Sequence, residues 1–219
     1  MNRIFLLSPA RCGGKRGSYL MRETGTFDLA LKVQSPDGAP LGEVMAFMSG
    51  LYFRGKLAYA QAFANPPDGQ PGAVVITPNR GLVPAVCRVG VDDLRSFATV
   101  DIDPREPAFR KPLERDAGEL ANRLGENCEA VLLGSVASGK YVEILLAAFG
   151  GALRFPSDFV GRGDMSRGGL MLRAAEDGRE LPYVPVAGAV RHGPRPPKLP
   201  PLKRTAPRTS FPRTPRVVG

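Results

Sequence analysis

Residues 134–141, "GSVASGKY", have the spacing of a phosphate-binding loop, with an apolar run before them and a predicted helix after them. In such a loop the backbone amides and the lysine bind phosphate, and a serine or threonine directly after the lysine binds magnesium. Tyr141 occupies that last position, and little sequence remains beyond it for the further strands of a nucleotide hydrolase. We therefore predict a strand-to-helix turn that does not hydrolyse nucleoside triphosphates, in which Lys140 either faces an anion or has a structural role.

Three further glycine-rich loops carry cations, at residues 8–18, 78–84 and 156–167. Glycine allows the backbone to approach a phosphate closely, and helix N-termini add N–H donors. Together the four loops predict a cleft that binds an anion, such as a nucleotide or a nucleic-acid phosphate. The alternative is that polar, glycine-rich turns are ordinary in any α/β protein. The cations of these loops are Arg11, Lys15, Arg16, Arg80, Lys140, Arg162 and Arg167.

Few residues suggest catalysis. Cys12 lies close in sequence to two cations that would stabilise a thiolate, although a buried, inert cysteine is the more common case. Asp158 and Asp164 flank "FVGRG" and are candidate acid or base groups, while Asp164 is equally suited to cap a helix that starts at Met165. His192 is the only histidine, so neither a Ser-His-Asp triad nor a metal site can be assembled, and we predict no metal and no cofactor.

The elements that must position these loops are strands and helices in alternation. Four short apolar runs are predicted to be strands, at residues 3–7, 73–77, 129–134 and 152–155. Their nearly continuous Val, Ile and Leu content is typical of strands covered on both faces. The sequence therefore predicts an α/β fold with a mostly parallel sheet of four or slightly more strands in a three-layer α/β/α arrangement. The loops that follow these strands would meet at one edge of the sheet, where ligands bind.

Helix boundaries follow from capping residues and glycines. One helix is predicted to start at Pro112 and to stop at Gly125, and another is predicted to be capped by Ser138 and to end at Gly150. Residues 40–64 are predicted to form a helical pair that is broken within "SGLYFRG", because glycines interrupt the apolar pattern there.

The charge of the chain is concentrated at one end. The net charge is +9, and residues 191–219 contain eight basic residues, eight prolines and no acidic residue. Residues 1–190 are predicted to form one domain, and residues 191–219 a disordered basic tail, since proline prevents helix formation and few apolar residues remain to be buried. Such a tail would bind nucleic-acid phosphates without sequence preference, or alternatively dock a protein partner.

Cysteine content and hydropathy predict a cytoplasmic protein. The three cysteines are an odd number, are widely spaced and contain no Cys-x-x-Cys pair, which argues against a disulfide framework and a zinc site. The N-terminal apolar run is too short for a signal peptide, and no run reaches transmembrane length, so we expect no membrane association.

Three stretches in chain order resemble the YaaA peroxide-stress family: "IFLLSPAR" (residues 4–11), "FMSGLY" (47–52) and "GRGDMSR" (161–167). Members of that family begin with a strand ending in Ser-Pro-Ala-Lys, carry a central Ser-Gly-Leu-Tyr, and later show Arg-Gly-x-Met-Ser-Arg. "CGGKR" and "ITPNRGLVP" are similar, more loosely, to small bacterial proteins related to the amino-terminal domain of archaeosine synthase. The first resemblance implies a cytoplasmic, DNA-associated protein of oxidative stress, and the second implies handling of a modified base.

The leading hypothesis is a cytoplasmic bacterial protein that binds nucleic acid, DNA in preference to RNA, or a nucleotide-like ligand, and that is linked to oxidative stress or DNA protection. One alternative is an enzyme that acts on a base or nucleoside in the cleft, and another is a non-enzymatic protein-interaction module. The candidate binding residues combine the loop cations with polar residues of the matched stretches. They are Ser8, Arg11, Lys15, Arg16, Tyr52, Arg54, Arg80, Lys140, Arg162, Ser166 and Arg167.

Overall fold

A six-stranded sheet forms the centre of the protein in the computed structural model, which describes residues 1–125, 127–137 and 139–200. The strands are β1 (Asn2–Leu7), β2 (Ala39–Pro40), β3 (Ala73–Ile76), β4 (Leu82–Pro84), β5 (Arg88–Val89), β6 (Cys128–Leu133), β7 (Leu153–Pro156) and β8 (Tyr183–Pro185). The central sheet has the order β4-β3-β1-β6-β7-β8, and β2 pairs with β5 in a separate antiparallel ladder.

The four predicted strands are the four parallel strands of this sheet. β1 pairs in parallel with both β3 and β6, and β6 pairs in parallel with β7. All six residues of β6 are buried, as a strand covered on both faces requires. The predicted mostly parallel α/β fold is therefore confirmed. The structure adds β4 and β8 as short antiparallel edge strands, which are too brief to produce a sequence pattern.

Helices flank the sheet in a three-layer arrangement. They are α1 (Lys15–Met21), α2 (Asp28–Gln34), α3 (Leu41–Ser49), α4 (Leu51–Phe63), α5 (Val91–Ala98), α6 (Pro107–Leu124), α7 (Val142–Phe149) and α8 (Asp164–Glu176), with short 3₁₀ turns at Gly150–Ala152 and Ser157–Phe159. Aromatic and aliphatic side chains from the sheet and the helices form one continuous hydrophobic core.

Several predicted helix boundaries need correction. α6 begins at Pro107 rather than at Pro112, because the Glu106 side chain accepts a hydrogen bond from the Ala108 amide (3.0 Å) and caps the earlier start. Gly55 does not break the helical pair, which is divided at Gly50 alone, where φ is +66°. Tyr141 precedes the first residue of α7, and the predicted cap Ser138 lies outside the described residues.

Two glycines allow α4 and α8 to approach at backbone distance. A Cβ atom added at Gly55 would lie 2.5 Å from the Gly168 carbonyl oxygen. One added at Gly168 would lie 2.7 Å from the Leu51 carbonyl oxygen and from Tyr52 Cα. Real Cβ atoms do not approach backbone so closely, so only glycine fits at either position. This contact fixes the position of every side chain that α4 and α8 present to each other.

The region predicted as a tail begins against the domain. Residues 191–200 form neither helix nor strand. The Pro194 carbonyl oxygen packs onto Gly161, and the Arg173 guanidinium donates to the Pro200 carbonyl. Residues 201–219 lie outside the described residues, so the predicted disorder there stays a prediction. In the part of the chain that is described, no helix is both long and apolar enough to cross a membrane.

Replacing Gly168 by alanine tests the contact between α4 and α8. We expect Gly168→Ala to lower the free energy of unfolding by about 1–3 kcal/mol, because the new methyl group collides with backbone that cannot rotate away. Urea unfolding followed by circular dichroism measures this change.

Gly118→Ala is the matched control, because Gly118 lies within α6 and an added Cβ would meet no atom within 4 Å. This change should stabilise the protein by about 0.5–1 kcal/mol through helix propensity alone. If Gly168→Ala were equally stabilising, the two helices would not be in backbone contact.

Candidate functional site

A cavity of about 610 Å³ opens where β1 and β6 end. Its wall combines the loop after β1, the start of α1, the junction of α3 and α4, the loop after β6 and the first residue of α8, as expected where parallel strands end at one edge of a sheet. The residues that line it are Ser8, Pro9, Ala10, Arg11, Gly14, Lys15, Arg16, Met48, Ser49, Tyr52, Ile102, Ser135, Lys140, Tyr141 and Asp164.

At the floor of the cavity, the serine that ends β1 contacts a buried lysine. Lys56 Nζ lies 2.6 Å from Ser8 Oγ and donates to the Ser8 carbonyl oxygen at 2.8 Å. The Lys56 side chain is 1% exposed, whereas Ser8 lines the cavity. Ser8 therefore separates the lysine from the cavity.

The surroundings of Lys56 favour its neutral amine. The pKa of Lys56 is lowered from 10.5 to about 7, chiefly by burial; the carboxylate of Asp164 opposes this lowering, and the Arg167 guanidinium adds to it. Nζ lies 3.9 Å from the centre of the Tyr52 ring. No carboxylate in the described residues forms an ion pair with Lys56, so aromatic rings and a single serine replace the water that an ammonium group would need.

A second hydroxyl meets Ser8 from the loop after β6. The Tyr141 hydroxyl accepts a hydrogen bond from the Ser135 amide at 2.9 Å. A Cβ atom added at Gly134 would lie 2.7 Å from this hydroxyl and 3.1 Å from Ser8 Oγ. Glycine at position 134 is what allows the two hydroxyl groups to share this space. Burial raises the pKa of Tyr141, which keeps its phenol protonated.

The Tyr52 hydroxyl is buried without a hydrogen-bond partner among the described residues, although Tyr52 lines the cavity. Burial raises the pKa of Tyr52, and the nearby Arg167 guanidinium opposes this rise without reaching the hydroxyl in hydrogen-bond geometry. A buried hydroxyl that lacks a partner is costly in free energy. Tyr52 therefore forms part of the cavity wall while its enclosed hydroxyl keeps an unused donor.

Four exposed cations, Arg11, Lys15, Arg16 and Lys140, form the rim of the cavity. Among them, Arg16 donates to the Phe47 carbonyl at 3.2 Å, where its guanidinium packs onto Gly50. Within the described residues, none of the four forms an ion pair.

Only one carboxylate, that of Asp164, lines the same cavity. It is 66% exposed and lies 3.7 Å from Arg167 Nη1. The lining therefore has an excess of positive charge.

The α8 region contributes less to the cavity than expected. Arg167 is 6% exposed and donates two hydrogen bonds, each of 3.2 Å, to the Phe159 carbonyl, so it lies behind the wall. Arg162 donates to the Asp158 carbonyl (2.9 Å) and to the Ser166 hydroxyl (3.3 Å). Of the two candidate acid–base groups, Asp164 lines the cavity and Asp158 does not.

Two other candidate cations lie away from the cavity. Arg54 is exposed on α4 and does not line it. Arg80 follows β3, where it pairs with Asp93 and lies 5.6 Å from the centre of the Phe97 ring. The loop after β3 turns back into the antiparallel strand β4, which directs it away from the loops after β1 and β6.

Cys12 is enclosed rather than activated. It is 3% exposed, and burial raises the pKa of its thiol to about 12. The two cations that follow it in sequence line the cavity rim instead. This environment is that of an inert core cysteine.

The described residues contain no cluster of histidine, cysteine, aspartate or glutamate that could hold a metal ion. Comparison with known proteins gave no matching family, no matching characterised protein and no matching solved structure. The resemblance to the YaaA family therefore stays a hypothesis.

Sequence reasoning identified seven of the cavity residues: Ser8, Arg11, Lys15, Arg16, Tyr52, Lys140 and Asp164. It missed Lys56. A signal was present, because Lys56 shares the apolar stripe of α4 with Tyr52, Tyr59 and Ala60 at helical spacing. A lysine on a stripe that faces the core must either be neutral or find a buried partner.

The pH dependence of stability tests the buried lysine. The folded pKa of Lys56, about 7, lies below its ordinary value of 10.5, so between these values the unfolded chain binds more protons. The free energy of unfolding should therefore rise with pH through this window. We expect Lys56→Met to lack that rise. The free energy of unfolding of wild type, relative to that of the variant, should therefore increase from pH 7 to pH 10.

Urea unfolding at several pH values measures both curves. Gln61→Met is the matched control, because Gln61 is exposed on the same helix, and its curve should run parallel to that of wild type. A parallel curve for Lys56→Met as well would mean that Lys56 keeps an ordinary pKa in the folded protein.

Proposed function

We propose that this protein binds a phosphate group, that of a nucleotide or of a nucleic acid, in the cavity between β1, β6 and α4. The observation that carries the proposal is the charge of the lining, where four cations face a single exposed carboxylate. Like charges gathered around one cavity repel each other, and a bound anion would relieve this repulsion.

The inner wall supports an anionic ligand as well. Tyr52 offers a buried hydroxyl donor that has no partner in the described residues. α4 begins at Leu51 beside the cavity, and no side chain caps this end of the helix. The positive end of the helix dipole therefore lies at the Ser49 and Tyr52 wall of the cavity and adds to the attraction for a negative group.

The dimensions and flanking sequence favour a nucleotide unit. A volume of about 610 Å³ lies within the range of small-molecule sites and exceeds what inorganic phosphate needs. Residues 201–219 add five further cations, Lys203, Arg204, Arg208, Arg213 and Arg216, which suit the extended backbone of a nucleic acid. We propose DNA before RNA, and a cytoplasmic role linked to oxidative stress, from the resemblance to the YaaA family. The three cysteines are free, which agrees with a reducing compartment.

Neutralising the rim tests the proposal. We expect Arg11→Ala/Lys140→Ala to weaken binding of a fluorescent single-stranded DNA, or of a labelled nucleotide, by about tenfold or more, since each cation would no longer make a charge-assisted hydrogen bond. Fluorescence anisotropy at fixed, moderate salt measures the dissociation constant.

Lys111→Ala/Arg123→Ala is the matched control. It removes the same charge from exposed positions on α6 that do not line the cavity. Equal losses of affinity for the two double variants would show that only net charge matters. Absence of binding to DNA, RNA and nucleotides by the wild-type protein would refute the proposal.

Removing residues 201–219 separates binding by the cavity from binding by the five cations in that segment of the basic tail. A chain that ends at Pro200 keeps the hydrogen bond between Arg173 and that residue and lacks the five cations that follow. We expect weaker binding to DNA and a shallower dependence of log K on log salt, by about 0.7–0.9 for each phosphate that is no longer neutralised. The residual binding should remain sensitive to Arg11→Ala. Complete loss of binding would place the whole affinity in the tail.

A further inference from the structure

We propose that Ser8 is a catalytic nucleophile and that Lys56 is its general base, so that the proposed phosphate site belongs to an enzyme that cleaves carboxylic esters bearing a phosphate group. This inference rests on the proposed phosphate binding for its substrate class, but the nucleophile itself rests on separate residues. Ser8 lies at the floor of the cavity with Lys56 enclosed behind it, whereas the cations lie at the rim.

The geometry is that of a nucleophile beside a base. A general base must lie within about 2.6–3.2 Å of the atom whose proton it removes. Lys56 Nζ is 2.6 Å from Ser8 Oγ, and Ser8 faces the cavity while the lysine is enclosed behind it. Serine and lysine replace the serine–histidine pair in several unrelated hydrolases.

The groups around Lys56 keep its amine able to accept a proton. The Tyr52 ring packs on Lys56 from α4, and the charges of Arg167 and Asp164 on α8 act on its amine. Tyr141 approaches Ser8 from the loop before α7. Arg167 is the cation of this set and favours the neutral amine, whereas the exposed Asp164 favours the ammonium form more strongly than Arg167 opposes it. Burial gives the same direction as Arg167 and is the larger effect.

Two tyrosine hydroxyls can stabilise the negative charge that develops on an attacked carbonyl oxygen. Tyr52 lines the cavity, and its buried hydroxyl has no partner in the described residues, which is the state expected of a donor that pairs only when a substrate is bound. Tyr141 lies beside Ser8 with its phenol kept protonated by burial. Neither hydroxyl needs to ionise for this role.

The reaction balances with the groups named. Ser8 Oγ attacks the carbonyl carbon and its proton passes to Lys56 Nζ, so that a C–O bond forms to Ser8 and the C–O bond to the leaving alcohol breaks. Lys56 returns the proton to the leaving oxygen. Water then attacks the Ser8 ester, gives a proton to Lys56 and releases the carboxylic acid, after which Ser8 regains its proton. One water is consumed for each ester cleaved.

A fluorophosphonate probe tests the nucleophile without knowledge of the substrate. It forms a P–O bond to an activated serine as the P–F bond breaks, and releases fluoride. We expect the full-length protein to gain one adduct, located at Ser8 by peptide mass spectrometry, with a rate that rises with pH and is half-maximal near pH 7. Ser8→Ala should give no adduct, and Lys56→Met should react at least about 100-fold more slowly.

Ser35→Ala and Gln61→Met are controls that should react as wild type does, because both residues lie outside the cavity. Circular dichroism checks that Lys56→Met is folded, and the pH profile of wild type tests the base even if this variant is not. An adduct elsewhere, no adduct on folded wild-type protein, or a rate without an inflection near pH 7 would overturn the proposal.

DNA and nucleotide binding measured on Ser8→Ala distinguishes the two proposals. Retained binding with no adduct on wild type would refute the nucleophile and leave phosphate binding in place. An adduct at Ser8 without any binding of DNA, RNA or nucleotide would refute phosphate binding while supporting the nucleophile.

Discussion

The contact between Gly55 on α4 and Gly168 on α8 is the constraint on which the site depends. Because neither position has room for a side chain, the two helices touch through their backbones. Lys56 and Arg167, the residues that adjoin these two glycines in sequence, are thereby held as buried neighbours, which favours the neutral amine of the lysine. Any wider spacing would admit water between them and return the lysine to its ordinary chemistry.

The cavity divides into two electrostatic layers as a result. The rim is exposed and cationic, so water and salt screen its charges. The floor is formed by hydroxyl groups and an enclosed amine, where the low dielectric strengthens each contact. The two proposed roles, anion recognition and proton transfer, therefore fall on different residues of one pocket.

The segment "GSVASGKY" shows how a familiar spacing can serve another purpose. Its lysine, Lys140, reaches the rim of the cavity. The buried Tyr141 hydroxyl accepts a hydrogen bond from the Ser135 amide, a donor that a phosphate-binding loop would direct to its ligand. The bulk of the tyrosine fills the position where a small hydroxyl would hold magnesium. The loop is thus a wall of the cavity, and Gly134 is needed because it brings Tyr141 next to Ser8.

The sequence by itself determined the four parallel strands and the meeting of the cationic loops after β1 and β6 at one edge, because apolar runs, glycines and caps act over a few residues. It misjudged the start of α6, because a side-chain cap outweighed the local signal there. It also misjudged the role of Gly55 and did not reveal β4 or β8, because distant partners decide these features. Only the tertiary structure paired Ser8 with Lys56, across 48 residues of chain, and set Arg167 behind the cavity wall. Burial can be read from a periodic pattern, whereas the partner of a buried polar group depends on how distant elements approach each other.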